Sequence, residues 1–458
     1  MANSKGETLS WKTWSPQFKE FAAYIGFLSL FALIVFGPRN SDPYFMQKGL
    51  ESMFVQPEFA HGVSFETLTT TDQFYTWMEE ILLPNMYPTE DSNGQPLDER
   101  DQKLVGGVNK RLGAVRLRSI RVRPDSCEIS EKLKDKFGRC YGVPSSDNED
   151  TSDWVGVAPH NHTISYSNAL QIPSWFSPLT KISYTGNGHV VDFNHTFSVV
   201  EETVESLKAG DFIDFSTRAV FITANFYNAN VDLVGVVRFN VEFIASGAIQ
   251  TSTAINCSPL IRPVRVINQD GASGFSSAIY FLEWIFYVWV LVYIFLEVKK
   301  YRSMRSTYFR NIWNVLDFVN LLFFFVVIIL KILSAAYVAS EYDSIMDADR
   351  EYLKLEWVSY FLKQVDNTNA FNAVLTFFKL FKFMRENKKM SQVRLHFYYY
   401  YYHHLCVVYF FFSQELTNSS FSHSFPHIST HLPIHSPTFS PTQPFHPPAC
   451  GYSRSRRR

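Results

Sequence analysis

Lys379 and Lys382 stand three residues apart inside an apolar stretch, Ala370–Met384. On a helix that spacing places both amines on one face, about 4.5 Å apart along the axis. Ionisable groups inside membrane spans are costly and mark function by default. A cation displaced through a membrane field exchanges about 2.3 kcal/mol per 100 mV. Two such cations per subunit, repeated in an oligomer, can bias a conformational equilibrium with voltage. Asp317 and Glu283 lie on two other apolar stretches and are the natural counter-charges. Asp317 is expected near the cytosolic start of its stretch, level with Lys382, and Glu283 nearer the opposite end. A second reading also fits the lysines: amines that snorkel from the end of an ordinary helix.

Other chemistry finds little footing. There is no nucleophile elbow, metalloprotease motif or P-loop, so no catalytic residue is assigned. Gly186-Asn187-Gly188 reads as a turn. The acidic run Asp147–Asp153 lacks the sixth-position Gly and twelfth-position Glu of an EF-hand loop and reads as a solvated, flexible loop. No metal site and no cofactor are expected. Lys+Arg number 42 against Asp+Glu 43, a balance of −1, which removes the electrostatic footprint of a nucleic-acid partner.

The elements that must carry these charges are spans. A bilayer core of about 30 Å needs about 20 mostly apolar helical residues. Four stretches serve: 18–37, 278–298, 312–334 and 370–385, the last weakest because of its two lysines. Mean hydropathy is only −0.08 because a long polar segment offsets them, and Phe supplies 43 residues. Lys299, Lys300, Arg302, Arg305 and Arg310 follow the second span; Arg385, Lys388, Lys389 and Arg394 follow the fourth. Basic loops stay cytosolic. Residues 1–17, the loop 299–311 and the linker start 386–394 are therefore cytosolic. The segment 38–277 and the acidic loop 335–369 lie outside.

Three sequons in 38–277 agree with that side: Asn161, Asn194 and Asn256 each begin Asn-x-Ser/Thr. Cys127 and Cys140 would meet an oxidising compartment there. Joined, they close a short loop worth about 3 kcal/mol; the alternative is two free thiols. Cys257 is left over. Val237, Phe239, Val241 and Phe243 alternate with Arg238, Asn240 and Glu242, the period of a half-buried strand. Ala219–Tyr227 precedes it, with Asn228-Ala229-Asn230 as the turn of an antiparallel hairpin. Arg116–Val122 is a further strand, and Glu201–Lys208 a short helix stopped by Gly210. The segment reads as a compact α+β domain.

Several phrases resemble one family: "RLRSIRVRPDSC" with "GRCYGV", "STRAVFITANFYNANVDLVGVVRFNVEF", "YFRNIWNVLDFVN" and "KLFKFMRENKKMSQV". Over roughly Leu104–Arg394 the chain is similar to polycystin-2 and its channel relatives in the transient receptor potential superfamily. The resemblance implies a multi-pass α-helical membrane protein, with a voltage-sensor-like four-helix bundle and an inserted exoplasmic α+β polycystin domain. That domain assembles as a ring over a homo- or heterotetramer of polycystin subunits. Lys379 and Lys382 fall on the family's fourth-span cations, Asp317 on its third-span acid, and Cys127 with Cys140 on its disulfide. Family members pass Na⁺, K⁺ and Ca²⁺ with little selectivity, in cilia, plasma membrane or endoplasmic reticulum. Ca²⁺ enters as permeant ion, with no binding site evident here.

The family's Leu-Gly-Asp filter triplet does not occur in this sequence. Residues 395–458 open with an aromatic run, Tyr398–Tyr402, and continue rich in Ser, Thr, Pro, His and Phe. They read as a disordered tail of translated intron or shifted frame. The expectation is a channel subunit truncated after the fourth span, without pore and filter. The alternatives are a pore-less regulatory partner of full-length polycystins and a receptor whose exoplasmic domain binds a ligand.

Overall fold

A computed structural model describes residues 16–386, apart from 38–40, 60–61, 92, 135, 137, 158–162, 169, 171, 261–273, 341–344 and 346–350. The tail at 395–458 and the sequon at Asn161 lie outside the described residues.

The apolar alternation at Val237–Phe243 becomes β10 (Leu233–Phe243), antiparallel to β9 (Thr217–Asn228). The strand runs on through Asn228, opposite Leu233, so the reversal extends to Asp232, whose φ is 54°. Around this hairpin a sheet forms in the order β11 (Ile249–Ser258), β10, β9, β2 (Asn109–Arg121), β8 (Gly188–Phe193) and β5 (Tyr166–Ser167). All its pairs are antiparallel, and β1 (Leu104–Val105) joins β2. Short pairs lie beside it: β3 (Trp154–Val155) with β4 (Thr163–Ile164), and β6 (Trp175–Phe176) with β7 (Ser183–Tyr184).

The two-residue period sorts the sheet into faces. Val220, Ile222, Ala224 and Phe226 of β9 join Val237, Phe239 and Val241 of β10 in one core. Helices roof that core: α2 (Asp42–Phe54), α3 (Thr71–Trp77), α4 (Leu83–Met86) and α5 (Phe197–Ala209). A π-helical stretch, Met78–Leu82, links α3 to α4. Trp77 locks the roof, donating its indole N–H to the Phe54 carbonyl at 2.9 Å. α3 begins on a capping box between Thr70 and Gln73.

The opposite face was expected to meet water; instead it is covered. Asn240 and Glu242 are buried. Glu242 sits under the β6–β7 hairpin and accepts hydrogen bonds from Ser177 (2.8 Å), Thr180 (2.6 Å) and Tyr184 (2.9 Å). Three hydroxyl donors replace the water that a buried carboxylate loses. The acidic run likewise departs from a free loop. Glu149 is buried, bridges Val122 and accepts from the Thr185 hydroxyl.

Among the described residues four long helices complete the fold: α1 (Pro16–Phe36), α6 (Gly274–Met304), α7 (Ile312–Ser340) and α8 (Glu356–Glu386). α7 and α8 both run on past 312–334 and 370–385, into the segment 335–369 between them. α1, α6 and α7 are long and apolar enough to cross a membrane. Among the described residues α8 is not in that set, since its first half is polar and the second holds the lysines. Tyr24, Phe27 and Phe31 of α1 pack with Phe286 and Val290 of α6 and Phe324 of α7; Ala373 and Leu380 of α8 close this cluster. Aromatic rings stack closely there, Phe27 on Phe286 at 5.0 Å.

Candidate functional site

Asp317 follows the first turn of α7 and is buried, its side chain 4% exposed. Asn314, Asp317 and Asn320 recur every three residues, so one face of α7 is polar inside an otherwise apolar helix. α8 opposes it with Asn372, Thr376, Lys379 and Lys382. Lys379 Nζ lies 2.9 Å from Asp317 Oδ1 and Lys382 Nζ 3.1 Å from Oδ2. One carboxylate thus holds two amines. Aromatic faces flank the Lys379 amine, Tyr24 at 5.1 Å and Tyr293 at 5.6 Å. Such faces are electronegative and favour a cation.

Above this centre the contacts are uncharged. Asn320 Nδ2 donates to Thr376 Oγ1 at 3.3 Å. The Tyr24 hydroxyl donates to the Thr376 carbonyl at 2.6 Å. Asn372 is fully buried, and neither amide atom has a hydrogen-bond partner among the described residues.

Glu283 is placed elsewhere than expected. It pairs with Lys331 of α7 and accepts from Tyr287, away from the lysines of α8. The signal for Lys331 was depth. α6 and α7 run in opposite directions, so Glu283 near the start of one span and Lys331 near the end of the other fall at one level.

A second set of contacts ties α8 to the α+β domain, and nothing in the spacing of residues announced it. The strap Glu351–Leu355, leading into α8, lies along β2 and β9. The Ala114 amide donates to the Glu351 carbonyl at 3.2 Å, and Asn225 Nδ2 to the Leu353 carbonyl at 2.9 Å. Gly113, at φ 68°, makes room: a Cβ there would stand 2.2 Å from the Glu351 oxygen. The Arg116 guanidinium covers the Tyr352 ring at 3.8 Å and pairs with Asp192 at 2.7 Å. Tyr352 donates to Glu356 at the head of α8. Burial, with Glu356 beside it, raises the Tyr352 hydroxyl well above its ordinary value. Burial pushes the neighbouring Arg118 guanidinium down to about 10. Leu112, Val234, Val236, Leu353, Leu355 and Val358 form the apolar part of the joint.

Elsewhere, Cys127 and Cys140 are joined as a disulfide, Cα to Cα 5.7 Å, and Cys257 is free and half-buried. Asn194 is half-buried in the turn before α5, and Asn256 lies within β11, opposite Val236. No group of three or more His, Cys, Asp or Glu able to hold a metal occurs among the described residues.

Residues 64–261 match the Polycystin domain family and residues 271–415 the Polycystin cation channel family. The chain belongs to the polycystin family. It is a membrane-embedded family of cation channels, not of enzymes. Polycystin-2-like protein 1 of Homo sapiens is 30% identical over 376 residues, 82% of this chain and 45% of that protein. Polycystin-2 of Danio rerio is 30% identical over 380 residues, 82% of this chain and 40% of that protein. Polycystin-2-like protein 2 of Homo sapiens is 26% identical over 378 residues, 82% of this chain and 59% of that protein. The chain thus spans about half the length of the curated polycystins it matches. The polycystin domain match begins well before Leu104 and takes in α3 and α4 of the helical roof. The channel match passes Arg394, where the resemblance was expected to end, and takes in the tyrosine run up to residue 415.

Proposed function

We propose that this chain acts as a subunit of a non-selective, calcium-permeable polycystin channel. It supplies the exoplasmic domain through which subunits assemble, as a homo- or heterotetramer, and a voltage-sensor-like bundle of α1, α6, α7 and α8. The observation that carries this reading is the single buried carboxylate of Asp317 shared by Lys379 and Lys382. Moving one elementary charge through a 100 mV field is worth about 2.3 kcal/mol. Two amines per subunit therefore exceed thermal energy once a shift of α8 carries them through more than about one eighth of such a field. The strap Glu351–Leu355 would carry such a shift into the α+β domain, because β2 and β9 grip it by backbone and side chain alike.

The test is electrical. The chain is co-expressed with a full-length polycystin in cells lacking others, and cation currents are recorded over a series of voltage steps. Lys379→Gln with Lys382→Gln is expected to flatten the conductance–voltage curve. An unchanged slope would leave the lysines as anchors. If the chain neither joins the complex nor alters its currents, the subunit reading fails.

A further inference from the structure

Tyr44 and Phe45, in the first turn of α2, are 57% and 64% exposed, with their rings T-shaped at 5.5 Å. They face away from Met46, Leu50 and Phe54, which bury the other side of the helix in the core of the α+β domain. Large aromatic side chains left bare side by side mark a contact surface.

α2 lies across one end of the sheet. A Cβ on Gly235, near the start of β10, would stand 3.0 Å from Met46 Cε and 3.3 Å from Leu50 Cδ1. A Cβ on Gly106, in the turn between β1 and β2, would stand 2.8 Å from Met53 Sδ. The two glycines belong to the same end, because Leu233 opposes Asn228 and Asn228 opposes Asn109. That end adjoins the spans. Val234 and Val236, on either side of Gly235, share an apolar cluster with Val338 of α7. Val338 stands four residues past the expected span 312–334, about 6 Å along the helix. A headgroup layer is about 5–8 Å deep on each side of the apolar core. Chain connectivity holds α2 close as well. Six steps separate Phe36, the end of the apolar α1, from Asp42, a reach of at most about 22 Å.

Tyrosine and other aromatic rings are enriched where a bilayer meets water, since one part is apolar and another stays wet. Lys48, one turn after Tyr44, is already held by Glu51 at 2.6 Å. The chemistry offered is therefore that of an aromatic wedge for uncharged interface, not of a cation for anionic headgroups. We propose that the first turn of α2 rests in the bilayer interface on the side of the α+β domain, with Tyr44 and Phe45 inserted at the glycerol level of a zwitterionic phospholipid. The domain then stands on the membrane at α2 as well as being strapped to α8. The contact requires α1 and α7 to span; it does not require the chain to conduct or to sense voltage.

Crosslinking tests this on the intact chain, held in phosphatidylcholine nanodiscs. Phe45→p-benzoylphenylalanine keeps an aromatic side chain at an exposed position and, on irradiation, bonds to whatever C–H lies against it. The tryptic peptide Asn40–Lys48 is expected to gain the mass of one phosphatidylcholine, and so is the same peptide carrying Tyr44→p-benzoylphenylalanine. Phe215 is the control. It is 86% exposed and precedes the opposite end of β9, about 37 Å along that strand from Asn228. Phe215→p-benzoylphenylalanine should leave the peptide Ala209–Arg218 free of lipid. Equal lipid adducts at Phe45 and Phe215 overturn the proposal. A Phe45 adduct to a second copy of the chain overturns it too, since the aromatic pair would then be a contact between subunits. Absence of any adduct at both Tyr44 and Phe45 would leave the pair in water and overturn it as well.

Discussion

Asp317 of α7 is bidentate towards two side chains of one helix: Lys379 at 2.9 Å on one oxygen and Lys382 at 3.1 Å on the other. Removing the acid strands two poorly solvated amines, and breaking a buried pair costs about 3–5 kcal/mol. Asp317→Asn should therefore lower the unfolding temperature of the detergent-solubilised chain. Adding Lys379→Gln and Lys382→Gln should recover a large part of the loss, because no charge is left uncompensated. The cycle of the three variants checks this; purely additive losses would mean that the groups do not act on one another.

The strap depends on Gly113. A side chain there meets both a left-handed φ of 68° and the Glu351 oxygen. The conformation alone costs a non-glycine residue about 1–2 kcal/mol. Gly113→Ala should loosen the strap before it unfolds the sheet. Hydrogen exchange should speed up at the Ala114 amide, which donates to Glu351, while the amides of β10 keep their protection.

His189 gives the α+β domain an acid limit. It is buried, Nε2 lies 2.7 Å from the Ser152 carbonyl, and Nδ1 has no hydrogen-bond partner among the described residues. Burial holds the imidazole below its ordinary 6.5, against that hydrogen bond, which raises it. The unfolded chain then binds the proton first. The stability tied to this residue is complete above pH about 6.5 and is lost as pH falls from there through the lower native value. Denaturation midpoints measured from pH 7.5 downward should fall less steeply in His189→Gln than in the parent.

The Cys127–Cys140 bridge spans 13 positions of chain. Its removal should cost about 3 kcal/mol by chain entropy. Cys127→Ser with Cys140→Ser, compared with the parent in the presence and absence of reductant, checks it. The parent should lose stability on reduction, and the double variant should be indifferent to the reductant.

Much of the sheet was legible because one of its faces obeys a two-residue period. Val237, Phe239 and Val241 all reached the core. The other face was misread for a physical reason. Arg238, Asn240 and Glu242 look solvated in sequence, and only a hairpin some sixty positions away buries Glu242 and satisfies it with hydroxyls. The charges of α7 and α8 were legible because ionisable groups are rare inside apolar runs. Which acid faces which base was only half legible. Depth along a span can be counted, but the direction a helix face points depends on its neighbours, and Glu283 turned to Lys331. The strap was illegible altogether, because the Glu351 and Leu353 carbonyls it offers carry no side-chain signal and its side-chain contacts, such as Arg116 over Tyr352, join residues far apart in the chain.

The hydroxyl of Tyr24 and the carbonyl of Thr376 are 352 positions apart. A ribosome adding about 5–20 residues per second needs about 20–70 s to travel between them. Throughout that interval α1 lacks its last neighbour, and the α+β domain is made between the two. Biosynthesis of this protein therefore has a waiting step: the aromatic seam of α1 stays open on the side of α8 until α8 is made.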